Sequence, residues 1–239
     1  MDNTLILITA RSGSKGIPNK NIKLLGGLTL LEYKIKTALS LTEAQNIWLN
    51  TDSELYAEIG KRHKITIPFL RPKALADDSA SSIDVILHTI KFFEEEKLNF
   101  KYICLFEPTS PFVYYNDVKM AYNYLLKTKE AKAIVATKIV RPNTMFVQDN
   151  AKFLKKVSLN IKKIQSLNRQ NFKEQITPSG GFYISEINHF KKYKTFYTNK
   201  TLTYNLPSGC DLEIDEPIDF KLAEFYLENK LINISKIFK

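Results

Sequence analysis

Residues 5–21, LILITARSGSKGIPNKN, constrain the fold more than any other part of this 239-residue chain. Leu5–Ile8 is an apolar run of the length of a buried strand. It leads through Thr9, Ala10 and Arg11 into Ser12-Gly13-Ser14-Lys15-Gly16, where two glycines and two hydroxyls sit within five residues. Glycine lets backbone approach a ligand closely and turns successive N–H groups into an anion-binding nest. Arg11, Lys15 and Lys20 add three cations within ten residues, and Ile17-Pro18 stiffens the exit. A strand, a glycine loop and clustered cations suit a polyphosphate.

Two common phosphate motifs are absent. Gly13 and Gly16 are too close for G-x-x-x-x-G-K-[ST], and Pro18 stands where the helix after G-x-G-x-x-G would begin. The plain alternative is a basic surface loop. The net charge of +10, from 35 basic and 25 acidic residues, invites a nucleic-acid partner. The lysines are spread along the chain, however, and neither an arginine-rich arm nor an aromatic RNA motif accompanies them, so no nucleic-acid partner is expected. The apolar runs are too short for a membrane span, and no secretory signal precedes the first strand. Cys104 and Cys210 lack Cys or His neighbours at metal spacing, which fits a reducing cytoplasm.

Downstream, strands and helices alternate. Leu31–Leu41 has helical spacing, Asn46–Asn50 reads as a strand, and Asp52 or Ser53 can cap a helix over Glu54–His63. Further strands are expected at Ile65–Leu70, Tyr102–Phe106, Ala133–Thr137 and Ser179–Ile184, and helices over Ala80–Phe93, Val118–Leu126 and Phe220–Glu228. This predicts an α/β fold with a mostly parallel sheet whose ligand lies at the strand carboxyl ends, beside Arg11–Lys15. Residues 141–178 are polar and lysine-rich without that rhythm, and read as an excursion from a single domain over 1–239. Asp211, Glu213 and Asp215 at period two share one face of an extended segment, a carboxylate group suited to Mg²⁺; the alternative is a solvated strand end before a helix.

The string A-R-S-G-S-K-G-I-P-x-K-N resembles the nucleotide loop of the cytidylyltransferases that make CMP-activated sialic acids and related nonulosonic acids. Three later motifs, in the same order, carry the resemblance along nearly the whole chain: RPKALADDSASS from Arg71, EPTSP from Glu107 and the Glu213–Asp219 acidic segment. It implies a Rossmann-like three-layer nucleotidyltransferase fold, with 141–178 as a small dimerisation subdomain of a homodimer. It implies CTP held by Ala10, Arg11, Ser14, Lys15, Lys20, Asn21, Arg71, Ser82, Pro108 and Thr109, with Arg71 and Ser82 at the base and ribose. The sugar acid would meet Glu107, Gly181, Tyr183 and the pair Arg169-Gln170, and Glu213 and Asp215 would hold Mg²⁺.

The implied reaction moves CMP from CTP to the anomeric hydroxyl of a 2-keto-3-deoxy sugar acid and releases pyrophosphate. Arg11, Lys15 and Asp215 are the expected catalytic residues, Asp215 assisting deprotonation. The chain departs from the family at Glu107, where glutamine is usual, at Thr177, where a second arginine is frequent, and at Glu213, where aspartate is usual. Glu107 is the departure nearest the chemistry, because a carboxylate accepts hydrogen bonds without donating them. Legionaminic, pseudaminic or octulosonic acid is the alternative acceptor, and a non-catalytic nucleotide or RNA binder is the alternative from another class.

Overall fold

The computed structural model describes residues 1, 3–14, 16–77, 81–140, 146–148, 154–156 and 175–239. Contacts divide the chain into two units, Met1–Thr137 with Pro178–Lys239, and Lys138–Thr177. The first unit is built on the strands β1 (Thr4–Thr9), β4 (Ile47–Asn50), β5 (Tyr102–Phe106), β6 (Ala133–Val140), β9 (Gln175–Glu186) and β10 (Thr201–Asn205). A short hairpin of β2 (Leu24–Leu25) and β3 (Leu28–Thr29) turns through Gly26 and Gly27, both at positive φ. In the second unit β7 (Phe146–Gln148) pairs antiparallel with β8 (Leu154–Lys156).

Strand order in the main sheet is β10-β6-β9-β5-β1-β4. β1 pairs in parallel with both β4 and β5, β10 pairs in parallel with β6, and β9 runs antiparallel to β5. The chain leaves β1 for β4 on one side and returns to β5 on the other. The carboxyl end of β1 is therefore a switch point, where open α/β sheets form a crevice.

Alternation along β1 explains its unbroken apolar run. Ile6 and Ile8 pack on one face with helices α1 (Leu30–Leu39), α4 (Tyr115–Lys127) and α6 (Pro217–Glu228). Leu5 and Leu7 pack on the other with α3 (Ser82–Glu95) and α5 (Ile187–Tyr193). A strand covered on both faces needs apolar residues at every position, and the result is the three-layer α/β fold the sequence predicts.

Helix starts follow their caps. Thr29 and Glu32 close a capping box on α1, and Ser81 accepts from the Asp84 N–H at 3.1 Å to start α3. Pro217 opens α6, three residues ahead of the predicted start.

Three expectations are corrected. Residues 65–70 form only two isolated bridges, Trp48 to Thr66 and Thr51 to Leu70, instead of a strand; Pro68 between them has no N–H for a ladder. The acidic segment is no strand either: Asp211 sits in a turn and accepts from the Gly209 N–H at 2.9 Å, which removes it from the expected row of carboxylates. β10 has no counterpart in the predicted elements, because its residues TLTYN carry one aliphatic side chain among polar ones.

Candidate active site

The carboxyl ends of β1 and β5 and the start of α3 border a cavity of about 400 Å³, lined by ten of the predicted site residues: Arg11, Ser14, Lys20, Asn21, Arg71, Ser82, Glu107, Pro108, Thr109 and Asp215. Thr9, Gly16, Leu75, Asp77 and Val85 complete it. Ala10 is only 1% exposed and its side chain belongs to the core. Lys15, Arg169 and Gln170 lie outside the described residues.

The glycine loop is tied down at three points. Asp52 accepts from both the backbone N–H and the hydroxyl of Ser12. The Asn21 amide donates to the Arg11 carbonyl at 3.1 Å, and Lys20 donates to the Ile214 carbonyl at 2.8 Å and to the Asp215 carboxylate at 3.0 Å. Lys20 thus joins the loop to the acidic segment 194 residues later. Gly16 packs so closely there that a Cβ on it would stand 2.5 Å from the Asp215 carbonyl oxygen. That contact is the physical reason for a glycine at this position.

Of the two expected caps, Asp52 or Ser53, Ser53 takes the role, accepting from the Tyr56 N–H at the start of α2 (Glu54–Arg62). Burial opposes the charge of Asp52, yet the two Ser12 hydrogen bonds prevail and hold its carboxyl below the usual value. Its stabilising contribution is therefore present above the unfolded carboxyl pKa, near 4, and is lost as pH falls through the lower folded value. Asp52→Asn should flatten the pH dependence of urea unfolding below about pH 4. It should also raise the KM for CTP, since Ser12 loses a charged partner. An unchanged acid limb would mean that Ser12 is held by other contacts.

Arg71 is nearly buried and immobilised by Asn50, donating to its side-chain oxygen and, at 2.9 Å, to its carbonyl. Asn50 is itself held by the Thr89 hydroxyl at 3.1 Å. Burial pulls the Arg71 pKa down to about 10, and nearby Asp52 opposes this. Neither Asn50 nor Asp52 was singled out as a site residue by sequence. Their only signal was the polar string Asn50-Thr51-Asp52-Ser53 directly after an apolar strand. Ser82, in the first turn of α3, brings the positive end of that helix to the same cavity.

A second cavity of about 190 Å³ shares Ser82 and Glu107 with the first and continues past Tyr183, Phe196 and Tyr197. The Tyr183 ring lies 5.3 Å from Phe196 and 6.4 Å from Tyr197. Glu107 therefore stands where a polar, cation-lined cavity meets an aromatic one. Burial first, and then the Glu213 and Asp215 carboxylates, push its pKa up to about 7. Gly181 contributes backbone: a Cβ there would meet Leu206 at 2.7 Å. Gly180, at φ +66°, lies against Glu213, whose Oε1 would be 2.6 Å from an added Cβ. Among the described residues no three His, Cys, Asp or Glu side chains converge as a metal-binding group.

Residues 5–233 match the family model described as Cytidylyltransferase. The chain belongs to the cytidylyltransferase family. Among curated relatives, an N-acylneuraminate cytidylyltransferase of Escherichia coli is 30% identical over 226 residues, covering 92% of this chain and 51% of its own length. The chain thus spans about half of that relative. A CMP-N,N'-diacetyllegionaminic acid synthase of Legionella pneumophila is 28% identical, covering 94% of this chain and 96% of its own. A pseudaminic acid cytidylyltransferase of Campylobacter jejuni is 26% identical over 222 residues, covering 92% and 94%. A solved CMP:2-keto-3-deoxy-manno-octonic acid synthetase in complex with CTP shares the fold, with a TM-score of 0.66 at 12% identity over 95% of this chain and 99% of its own. Among the described residues no helix of this cytidylyltransferase is long and apolar enough to cross a membrane.

Proposed function

We propose that this cytidylyltransferase transfers CMP from CTP to the anomeric hydroxyl of a sialic-acid-type nonulosonic acid, releasing pyrophosphate. The observation that carries this reading is the pair of cavities meeting at Ser82 and Glu107, one cationic and one aromatic. The first suits a nucleoside triphosphate: Arg11 and Lys20 face phosphate, with Lys15 from the same loop, and Arg71 and Ser82 face the base and ribose. The second suits a carbon chain with polar substituents, resting on Tyr183, Phe196 and Tyr197. The relatives named for sialic, legionaminic and pseudaminic acids support a sugar acid as acceptor.

The anomeric oxygen attacks the α-phosphorus, the bond to the β-phosphate oxygen breaks, and pyrophosphate departs with its charge balanced by Arg11, Lys15 and Lys20. Asp215 receives the hydroxyl proton. Its carboxylate is largely exposed, already bonded to Lys20, and close enough to Glu107 to raise that group's pKa.

Glu213 and Asp215 fit Mg²⁺: Asp215 lines the first cavity, both carboxylates act on Glu107 there, and this ion binds through one or two carboxylates plus substrate phosphate. Bound there, it would screen the phosphate charge. A homodimer in the cytoplasm completes the reading, with Arg169-Gln170 of one subunit facing its partner's sugar acid; sedimentation velocity at a single peak of monomer mass would exclude it.

Pyrophosphate release is the deciding assay. CTP and Mg²⁺ are offered with N-acetylneuraminic, N,N'-diacetyllegionaminic, pseudaminic or 3-deoxy-manno-octulosonic acid. Release with one nine-carbon acid, and none with ATP, is expected. Release with only the octulosonic acid would move the acceptor class, and silence with all four would refute the proposal.

A further inference from the structure

Helix α1 places a lysine in the interior. Lys34 is fully buried, on the helix face that also buries Leu30, Leu31, Thr37 and Ala38. Its ammonium donates to the Gly181 carbonyl at 3.2 Å and stands 4.9 Å from the centre of the Phe106 ring. A carbonyl and a ring face ease the desolvation of an ammonium but carry no opposing charge, and a buried charge is costly without one. The thiols of Cys104 and Cys210 lie near, and burial keeps both in the neutral form by raising their pKa values. Among the described residues Glu107 is the carboxylate whose charge reaches Lys34, through space and beyond the range of a direct ion pair; burial is the stronger influence and draws the Lys34 pKa down to about 7.

Strand register gives this pairing its geometry. β5 and β9 set Leu105 opposite Tyr183 and Cys104 opposite Ile184. Continued two residues, the same register sets Glu107 opposite Gly181, the residue whose carbonyl takes the Lys34 hydrogen bond. Phe106, under the ammonium, is the residue immediately before Glu107. The ammonium thus lies beneath the strand pair at the point where Glu107 enters both cavities.

We propose that Lys34 is a positioning residue of this site: its buried ammonium is the counter-charge of Glu107 and holds that carboxylate at the junction of the two cavities. Glu107 then accepts hydrogen bonds from hydroxyl or amide N–H groups of the acceptor and repels the acceptor's own carboxylate, fixing which end of the sugar acid faces it. The pairing stands on the fold alone, whereas its effect on the acceptor rests on the proposed function.

A double-substitution cycle separates the two. Urea unfolding of the ligand-free protein compares the parent, Lys34→Met, Glu107→Gln and the double variant. Each single change leaves one buried titratable group without the opposing charge, so the double should recover at least about tenfold in the folding equilibrium constant over the sum of the singles, about 1.4 kcal/mol. Additive losses would refute the pairing, as would Lys34→Met remaining insoluble with Glu107→Gln added. Insolubility of Lys34→Met alone, relieved in the double, supports it.

Steady-state kinetics use whichever of the four acids is turned over. Lys34→Met should raise its KM by about tenfold, leaving the KM for CTP unchanged, and should have no further effect in the Glu107→Gln background. A coupled stability cycle with an unmoved KM would confine the pair to stability and overturn its role toward the acceptor. Should none of the acids react, that role falls together with the proposed function, and the stability cycle still decides the pairing.

Discussion

Asp215→Ala should lower kcat for pyrophosphate release by at least about a hundredfold, the usual cost of deleting a group that acts on transition-state charge. The loss should come with a raised Mg²⁺ requirement and little change in thermal stability. The Asp215 side chain is 66% exposed and its partner Lys20 only 13%, so the pair contributes little to folding. Asp219, four residues on, has the opposite character. Its carboxylate accepts from the N–H groups of Asp215 and Glu216 at 3.0 and 2.8 Å, closing the capping box that starts α6. Asp219→Ala should destabilise by about 1 kcal/mol, as loss of a helix cap does, with kcat reduced far less. The reverse pattern in the two variants would show that the proton acceptor is Asp219.

Gly16→Ala should cost on the order of a hundredfold in kcat/KM, because displacement of reacting groups by about an ångström is enough for that. The added Cβ would meet the Asp215 backbone oxygen, which cannot rotate away as a side chain can. Loop and acidic segment would be forced apart, along with the Lys20 contacts that bridge them. Gly13→Ala is the matched control. Gly13 has φ +73° and open space around its Cβ position, so its substitution meets only backbone strain of about 1–2 kcal/mol. Equal losses in both variants would mean that loop conformation, rather than the approach to Asp215, limits activity.

The sequence by itself determined a good deal. An apolar strand running into a glycine- and cation-rich loop, then strands alternating with helices, was enough for the mostly parallel sheet and for the end of it that carries the cavity. Ten predicted residues line one cavity because strand carboxyl ends converge in any such sheet. Local chemistry accounts for these successes: β1 is buried on both faces and so must be apolar throughout, and the starts of α1 and α3 are written in their capping side chains.

Only the tertiary structure decided the rest, wherever a residue's role depends on a distant partner. Asp52 looks like a helix cap in its own neighbourhood and becomes a clamp because Ser12, 40 residues away, folds beside it. Asp211 alternates properly with Glu213 and Asp215, yet a turn consumes its carboxylate on Gly209. Lys34 reads as one more lysine in a chain with 35 basic residues. It is buried because α1 packs on the sheet and sends this side chain to the Gly181 carbonyl and the Phe106 ring, and its meaning comes from Glu107, the residue after Phe106. Periodicity along a chain reports which side a residue takes; only the fold brings together charges that must answer each other.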